Sequence, residues 1–153
     1  MALKRGKSGS RGQRLALQRR LLEAGGTLDD VAAELQRRWG FRPRVAYRHA
    51  HGWSQEEAAA RFRAMAGQMR IEPTPPPAAR MMTPVMTGTR FGEYERWPLG
   101  GRRPSLYVLA VLSRVYGTVV GQLLDAADHR AMPAPERAVL ALLGDRETSQ
   151  RRW

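Results

Sequence analysis

Thr87, Gly88, Thr89, Arg90 and Glu93 fall close together in the run TGTRFGEYERW. Read as a helix over Thr87–Trp97, the run places Phe91, Tyr94 and Trp97 three apart on an inward side. Thr89, Arg90 and Glu93 then face outward, with Thr87 and Gly88 at the N-terminal end. These residue types can read base edges in a duplex major groove. A guanidinium fork pairs with guanine, a carboxylate accepts from cytosine N4, and threonine can touch the thymine methyl. Gly88 has no side chain and lets the backbone approach closely. A solvated helix face is the plainer reading of the same residues, and the flanking pattern favours base contact.

A reading helix needs a second helix to hold it across the backbone. Residues 54–65 supply one. Ser54 caps it with Glu57 three residues on, a capping box, and Ala58, Ala59, Phe62 and Met65 form its core side. A helix start with free N–H groups also suits a phosphate oxygen, which makes Ser54 a candidate phosphate contact.

The charge agrees with such a partner. Lys and Arg number 26 against 14 acidic residues, a net charge of +12. All but Lys4 and Lys7 are arginines, whose planar forks suit phosphate and guanine. Residues 1–20 carry seven positive charges and no negative one, whereas residues 118–150 carry three basic and five acidic groups. The positive potential thus lies on the N-terminal part and the centre, and nucleic acid is its first candidate counterpart.

Around these segments the punctuation predicts an all-α chain of seven or so short helices. Residues 1–13 read as a disordered basic arm. Leu15, Leu17, Leu21 and Leu22 suggest a short helix ended by Gly25–Gly26. Thr27 and Asp30 cap a helix carrying Leu28, Val31, Ala32, Leu35 and Trp39, closed by Gly40. Pro43 opens the next, with Val45, Ala46 and Ala50 inward. Residues 67–86 hold five prolines and read as a long Pro-rich loop. Pro104 and Ser105 open a helix that Gly117 closes. Val119, Leu123 and Leu124 mark a further short helix, and Val139, Leu140, Leu142 and Leu143 a last one. Trp39, Trp53 and Trp97 read as core.

The stretches RVAYRHAHGWSQEEAAARF (44–62) and TGTRFGEYERWPLGGRRPSLYVLAVLSRVYGTVVGQLLD (87–125) together resemble the Xre-type family of phage-repressor-like helix-turn-helix proteins. The family pattern is an Arg, then Gly-x-Ser-Gln-x-x-Ala-Ala, a short helix ending in Glu, a basic Pro-containing turn, and a Leu-x-x-Leu-Ala helix leading to Leu-Leu. The tyrosine-glutamate and the Arg-Arg-Pro-Ser-Leu run look like actinobacterial members. The resemblance covers about residues 43–125, roughly half the chain.

It implies a lambda-repressor-like helix-turn-helix bundle with extra N-terminal helices and a Pro-rich insertion. The division would be an arm at 1–13, N-terminal helices at 14–42, the DNA-binding domain at 43–125 with 67–86 inserted, and a C-terminal short helix and tail at 126–153. Gln55 matches the residue that positions phosphate or the recognition helix. Arg48 and Glu95 match a structural salt bridge, expected to be partly buried. Arg102 and Arg103 match the basic turn that clamps phosphates, and Ser105 adds a contact at the next helix start. In the family a turn of a few residues joins the two helices, whereas here residues 64–86 intervene. Either the first helix runs on and the loop bulges out, or the unit is spread.

The implied function is a sequence-specific transcriptional regulator that occupies double-stranded DNA as a homodimer on half-sites about one helical turn apart. The apolar residues around Val119–Leu124 and Val139–Leu143 are candidates for the dimer contact. The alternative is a non-sequence-specific basic nucleoid or adaptor protein, with a protein partner at the Pro-rich loop and N-terminal helices. No enzyme, cofactor or metal is expected. There is no cysteine, no nucleophile triad and no phosphate loop, Gly100–Gly101 being a turn. His49 and His51 are two apart on a helix and face different directions, and His129 stands alone. The methionines Met65, Met69, Met81, Met82 and Met86 read as gap fillers. With no apolar run near a membrane span of roughly 20 residues and no signal peptide pattern, the expected location is cytoplasmic and nucleoid-associated.

Overall fold

The structure, a computed structural model, describes residues 9–69 and 85–150, with side chains through residue 144. The order is α1 (Arg11–Glu23), α2 (Leu28–Trp39), α3 (Pro43–Ala50), α4 (Gln55–Gln68), α5 (Gly88–Arg96), α6 (Leu106–Tyr116), a 3-10 turn (Val120–Leu123), α7 (Ala126–Ala131) and α8 (Ala134–Gln150). Among the described residues there is no strand, so the class is all-α. No helix among them is long and apolar enough to cross a membrane.

Helix starts follow side-chain capping. Thr27 Oγ1 accepts from Asp30 N–H (3.2 Å) and Asp30 Oδ2 accepts from Thr27 N–H (2.8 Å), the reciprocal pair expected there. Ser54, Thr87 and Ser105 each accept from the N–H three residues on. Pro43 occupies the first turn of α3, where its missing N–H costs nothing.

Several boundaries differ from expectation. The arm expected at 1–13 is cut short, because α1 begins at Arg11. Ser10 and Gln13 form a capping box, with bonds of 2.7 and 3.1 Å. Two satisfied end groups outweigh a polar composition. Residues 1–8 lie outside the described residues, as do 70–84, which hold most of the expected Pro-rich loop and Met81 and Met82. That loop was expected from residue 67, yet α4 continues through Gln68, since no proline comes before Pro73 to stop it. Asp125 and Asp128 box the start of α7, a helix missing from the expectation. The C-terminal element, expected as a short helix and tail, is a helix of 17 residues.

The main core joins every helix from α1 to α6. Val31, Ala32, Leu35, Ala46, Ala50, Ala58 and Ala59 are fully buried, with Phe62, Met86, Phe91 and Val111 beside them. Burying each large aliphatic side chain contributes roughly 1.5–3 kcal/mol. Trp39 and Trp53, expected as core, are half-buried at its edge. Trp97 is likewise half-buried, against a second cluster of Leu109, Leu124 and Met132. Leu123 and Leu124 therefore serve this chain's own interior (0% and 7% exposed) and are withdrawn as a dimer surface. α3 is buried on more sides than its apolar residues account for. Val45 is half-buried, while Arg44, Tyr47 and Arg48 are buried. Helices α1 and α2 and the 3-10 turn all pack on α3, so its polar residues go inside as well.

Candidate nucleic-acid interface

α4 and α5 pack directly against each other despite the long separation in sequence. Arg63 Nη1 donates to the Met86 carbonyl (2.6 Å), which ties the returning chain to α4. Of the two arrangements open from the sequence, the first helix runs on and its partner returns alongside it.

Two glycines permit the approach. A Cβ at Gly92 would lie 2.9 Å from Gln55 Nε2, and one at Gly88 would overlap the Glu56 carboxylate. Gly88 is buried, so its missing side chain accommodates α4. The expectation that it opens the helix to a base edge is corrected accordingly: its open side is taken by Glu56.

The far end of α5 is tied by charge. Arg48 Nε donates to Glu95 Oε2 at 2.8 Å, with side chains 11% and 5% exposed. Gln55 Nε2 donates to the other oxygen, Oε1, at 2.9 Å. Arg48 Nη1 also donates to the Trp53 carbonyl (3.1 Å). One carboxylate on α5 thus fixes α3, the turn after it and the start of α4. Gln55 is engaged in positioning α5.

A second ionic anchor has no counterpart in the sequence reading. Arg44, 2% exposed, donates to the carbonyls of Tyr94 (3.3 Å), Trp97 (2.7 Å) and Leu123 (3.1 Å). It also pairs with Asp128 at 3.0 Å, and Asp128 is fully buried. Arg42 bridges Asp125 (3.0 Å) and Asp128 (2.8 Å) and donates to the Trp97 carbonyl. Cations at a helix C-terminus satisfy its last carbonyls and its dipole. Burial works against the Asp125 charge, but the Arg42 hydrogen bond and those from Asp128 bring its pKa down to about 2. The signal was available: Asp125-x-x-Asp128 has the same spacing as Thr27-x-x-Asp30.

What remains on the outside of α5 is short and polar. Thr87 and Thr89 are exposed, and Arg90 and Glu93 are half-buried. Phe91 is buried at 2% and Tyr94 packs half-buried against the core. Thr87 Oγ1 caps α5 by accepting from Arg90 N–H at 3.2 Å. After α5 the chain folds back, with Arg102 N–H donating to the Glu93 carbonyl (3.1 Å). Gly101, at φ +70°, makes this possible, since a Cβ there would overlap that carbonyl. Arg102 and Arg103 are exposed and lie 3.5 Å from Glu93 and Glu136 respectively. Such exposed pairs are worth at most about 1 kcal/mol, so both arginines can exchange partners. Ser54 and Ser105 are exposed at the starts of α4 and α6.

The histidines have aromatic roles. His51 stacks on Trp53 with centroids 4.2 Å apart, and its Nε2 lies 3.2 Å from the Tyr116 carbonyl. His49 packs on Phe41 at 4.8 Å. No group of three metal-ligating side chains occurs among the described residues. No protein-family model, curated protein or solved structure matches the chain.

Proposed function

We propose that this chain is a sequence-specific DNA-binding regulator of the Xre-type helix-turn-helix kind, with α5 entering the major groove and α4 lying across the backbone. One observation supports this above the others. The Gln55–Glu95–Arg48 linkage and Gly92 hold α5 tightly on α4, while Thr87, Thr89 and Arg90 stay outward. An α-helix with its side chains is about 10–12 Å across, a fit to a groove about 12 Å wide. In this reading Arg90 pairs with guanine, Thr87 and Thr89 read neighbouring edges, and Glu93 accepts from cytosine once Arg102 moves to a phosphate. Arg102, Arg103, Ser54 and Ser105 hold the backbone on either side, which fixes register without carrying sequence information. The exposed Val139, Leu142 and Leu143 of α8 (42%, 67% and 43%) form the surface by which two copies pair on adjacent half-sites.

Selection of bound fragments from a random duplex pool tests this reading. The expected result is an enriched motif in two halves. Arg90→Ala relaxes one base position, at about 1–3 kcal/mol, while Arg103→Ala weakens all sequences alike. Salt-sensitive binding with no enriched motif would overturn sequence reading and leave a non-specific basic nucleoid protein.

A further inference from the structure

Arg103 stands just before Pro104, which is fully buried. A residue before proline is held to extended backbone, so the chain is pinned there and the Arg103 side chain is what can swing. That side chain is 44% exposed, and its Nη2 lies 3.5 Å from Glu136 Oε1 in the first turn of α8.

Glu136 is not a stray surface acid. Leu140, one turn further along α8, packs on the cluster of Leu109, Leu124 and Met132. Side chains four apart share one face of a helix. α8 therefore turns Glu136 toward the body and leaves Val139, Leu142 and Leu143 outside. The Glu136 side chain is 23% exposed, and its second oxygen, Oε2, is buried without a hydrogen-bond partner. A carboxylate oxygen cut off from water and from donors is costly. Among the described residues, Arg103 is the only cation paired with it.

We infer that Glu136 is an internal counter-charge to the phosphate clamp: it holds Arg103 in the free protein and competes for it with a backbone phosphate of the DNA. This rests on the function proposed above. A phosphate brought to Arg103 where it now lies also meets the Glu136 carboxylate, and the two anions repel. Arg103 swings away from α8 to bind, which strips Glu136 of its cation. Glu136 is thus a positioning residue that acts through Arg103. It touches no base, so it sets the affinity for every sequence alike.

The test is a binding cycle on the full chain, read with a random duplex at one near-physiological salt concentration, since phosphate contacts are salt-dependent. Glu136→Gln keeps the shape and removes the charge. It is expected to bind about 1.5- to fivefold more tightly, the worth of an exposed ion pair. In an Arg103→Ala background the same substitution gives no gain. Glu136→Met, which also removes the orphaned oxygen, repeats the result if the amide is poorly tolerated. Urea unfolding of each variant separates this role from a merely structural one, in which Glu136→Gln changes stability and leaves affinity where it was.

Unchanged or weaker binding by folded Glu136→Gln would overturn the counter-charge and leave the regulator reading intact. A gain that persists in Arg103→Ala would overturn it too, since one negative charge would then act through the general field and not through Arg103. Duplex binding absent from the wild type and from every variant would end the DNA reading, and this inference with it.

Discussion

Glu95→Ala removes the carboxylate on which three segments converge. Arg48 is then left nearly enclosed, with only the Trp53 carbonyl among its named acceptors. Breaking a buried pair from one side costs about 3–5 kcal/mol. The Arg48 side chain is 11% exposed, so water can reach it in part and the lower end, about 3 kcal/mol, is expected. Gln55 loses its acceptor as well, worth about 1 kcal/mol. In urea, with a slope of about 2 kcal/mol per molar, the midpoint falls by about 1.5–2 M. Replacing both partners by apolar groups, Arg48→Met with Glu95→Met, removes the stranded charge. The double variant is then less destabilised than the sum of its singles by at least about 1.5 kcal/mol. Unfolding followed by circular dichroism gives all four corners of the cycle. A midpoint shift below about 0.5 M in Glu95→Ala, or strict additivity, would refute a buried pair as the link between α3 and α5.

Asp128→Asn keeps the shape of the second anchor but leaves Arg42 and Arg44 without their shared charge. A loss of about 3 kcal/mol is expected in the same assay, and an unchanged midpoint would show that Asp125 and the carbonyls hold the arginines without the Asp128 charge. Gly101→Ala meets both a positive φ and the Glu93 carbonyl, whereas Gly117, at φ +66°, has nothing within 4 Å of an added Cβ. Gly117→Ala should therefore cost about 1 kcal/mol, and thermal melting should rank Gly101→Ala well below it; equal melting temperatures would contradict the packed turn. Acid should act in two windows. His49 is depressed from 6.5 to about 4 by burial and then by Arg48 and Arg14, so the unfolded chain binds the proton more readily. Its contribution is whole above about 6.5 and is lost as pH falls through about 4. Asp125, lowered from 3.8 to about 2, contributes above about 3.8 and loses that as pH falls toward 2. Melting temperature against pH should show both, and His49→Gln should shrink the upper one only, since His51, also lowered from 6.5 by burial, contributes there as well.

Local capping chemistry was legible from residue order because it spans only three or four positions. Thr27 with Asp30, Ser54, Thr87, Ser105, Pro43 and the closing glycines Gly40 and Gly117 mark helix ends with no help from the rest of the chain. Ser10 with Gln13, and Asp125 with Asp128, obey the same rule and were hidden by a basic composition and a short helix. The apolar spacing of α2 and the inward Phe91 of α5 were equally local. The Arg48–Glu95 partnership came from resemblance to a family, since 47 residues separate the two in sequence. What no local pattern carries is which charged groups end up inside. Arg44 and Asp128 lie 84 residues apart and become buried only because α3 is enclosed by α1, α2 and the 3-10 turn. Desolvation then makes their pairing obligatory. The same holds for Gly88 and Gly92, which are neutral in the sequence and become points of close approach only once α4 lies over them. The seat of α1 is likewise a product of docking: Leu17 is buried and Gln18 reaches the Ala50 carbonyl only once one helix lies against the end of another.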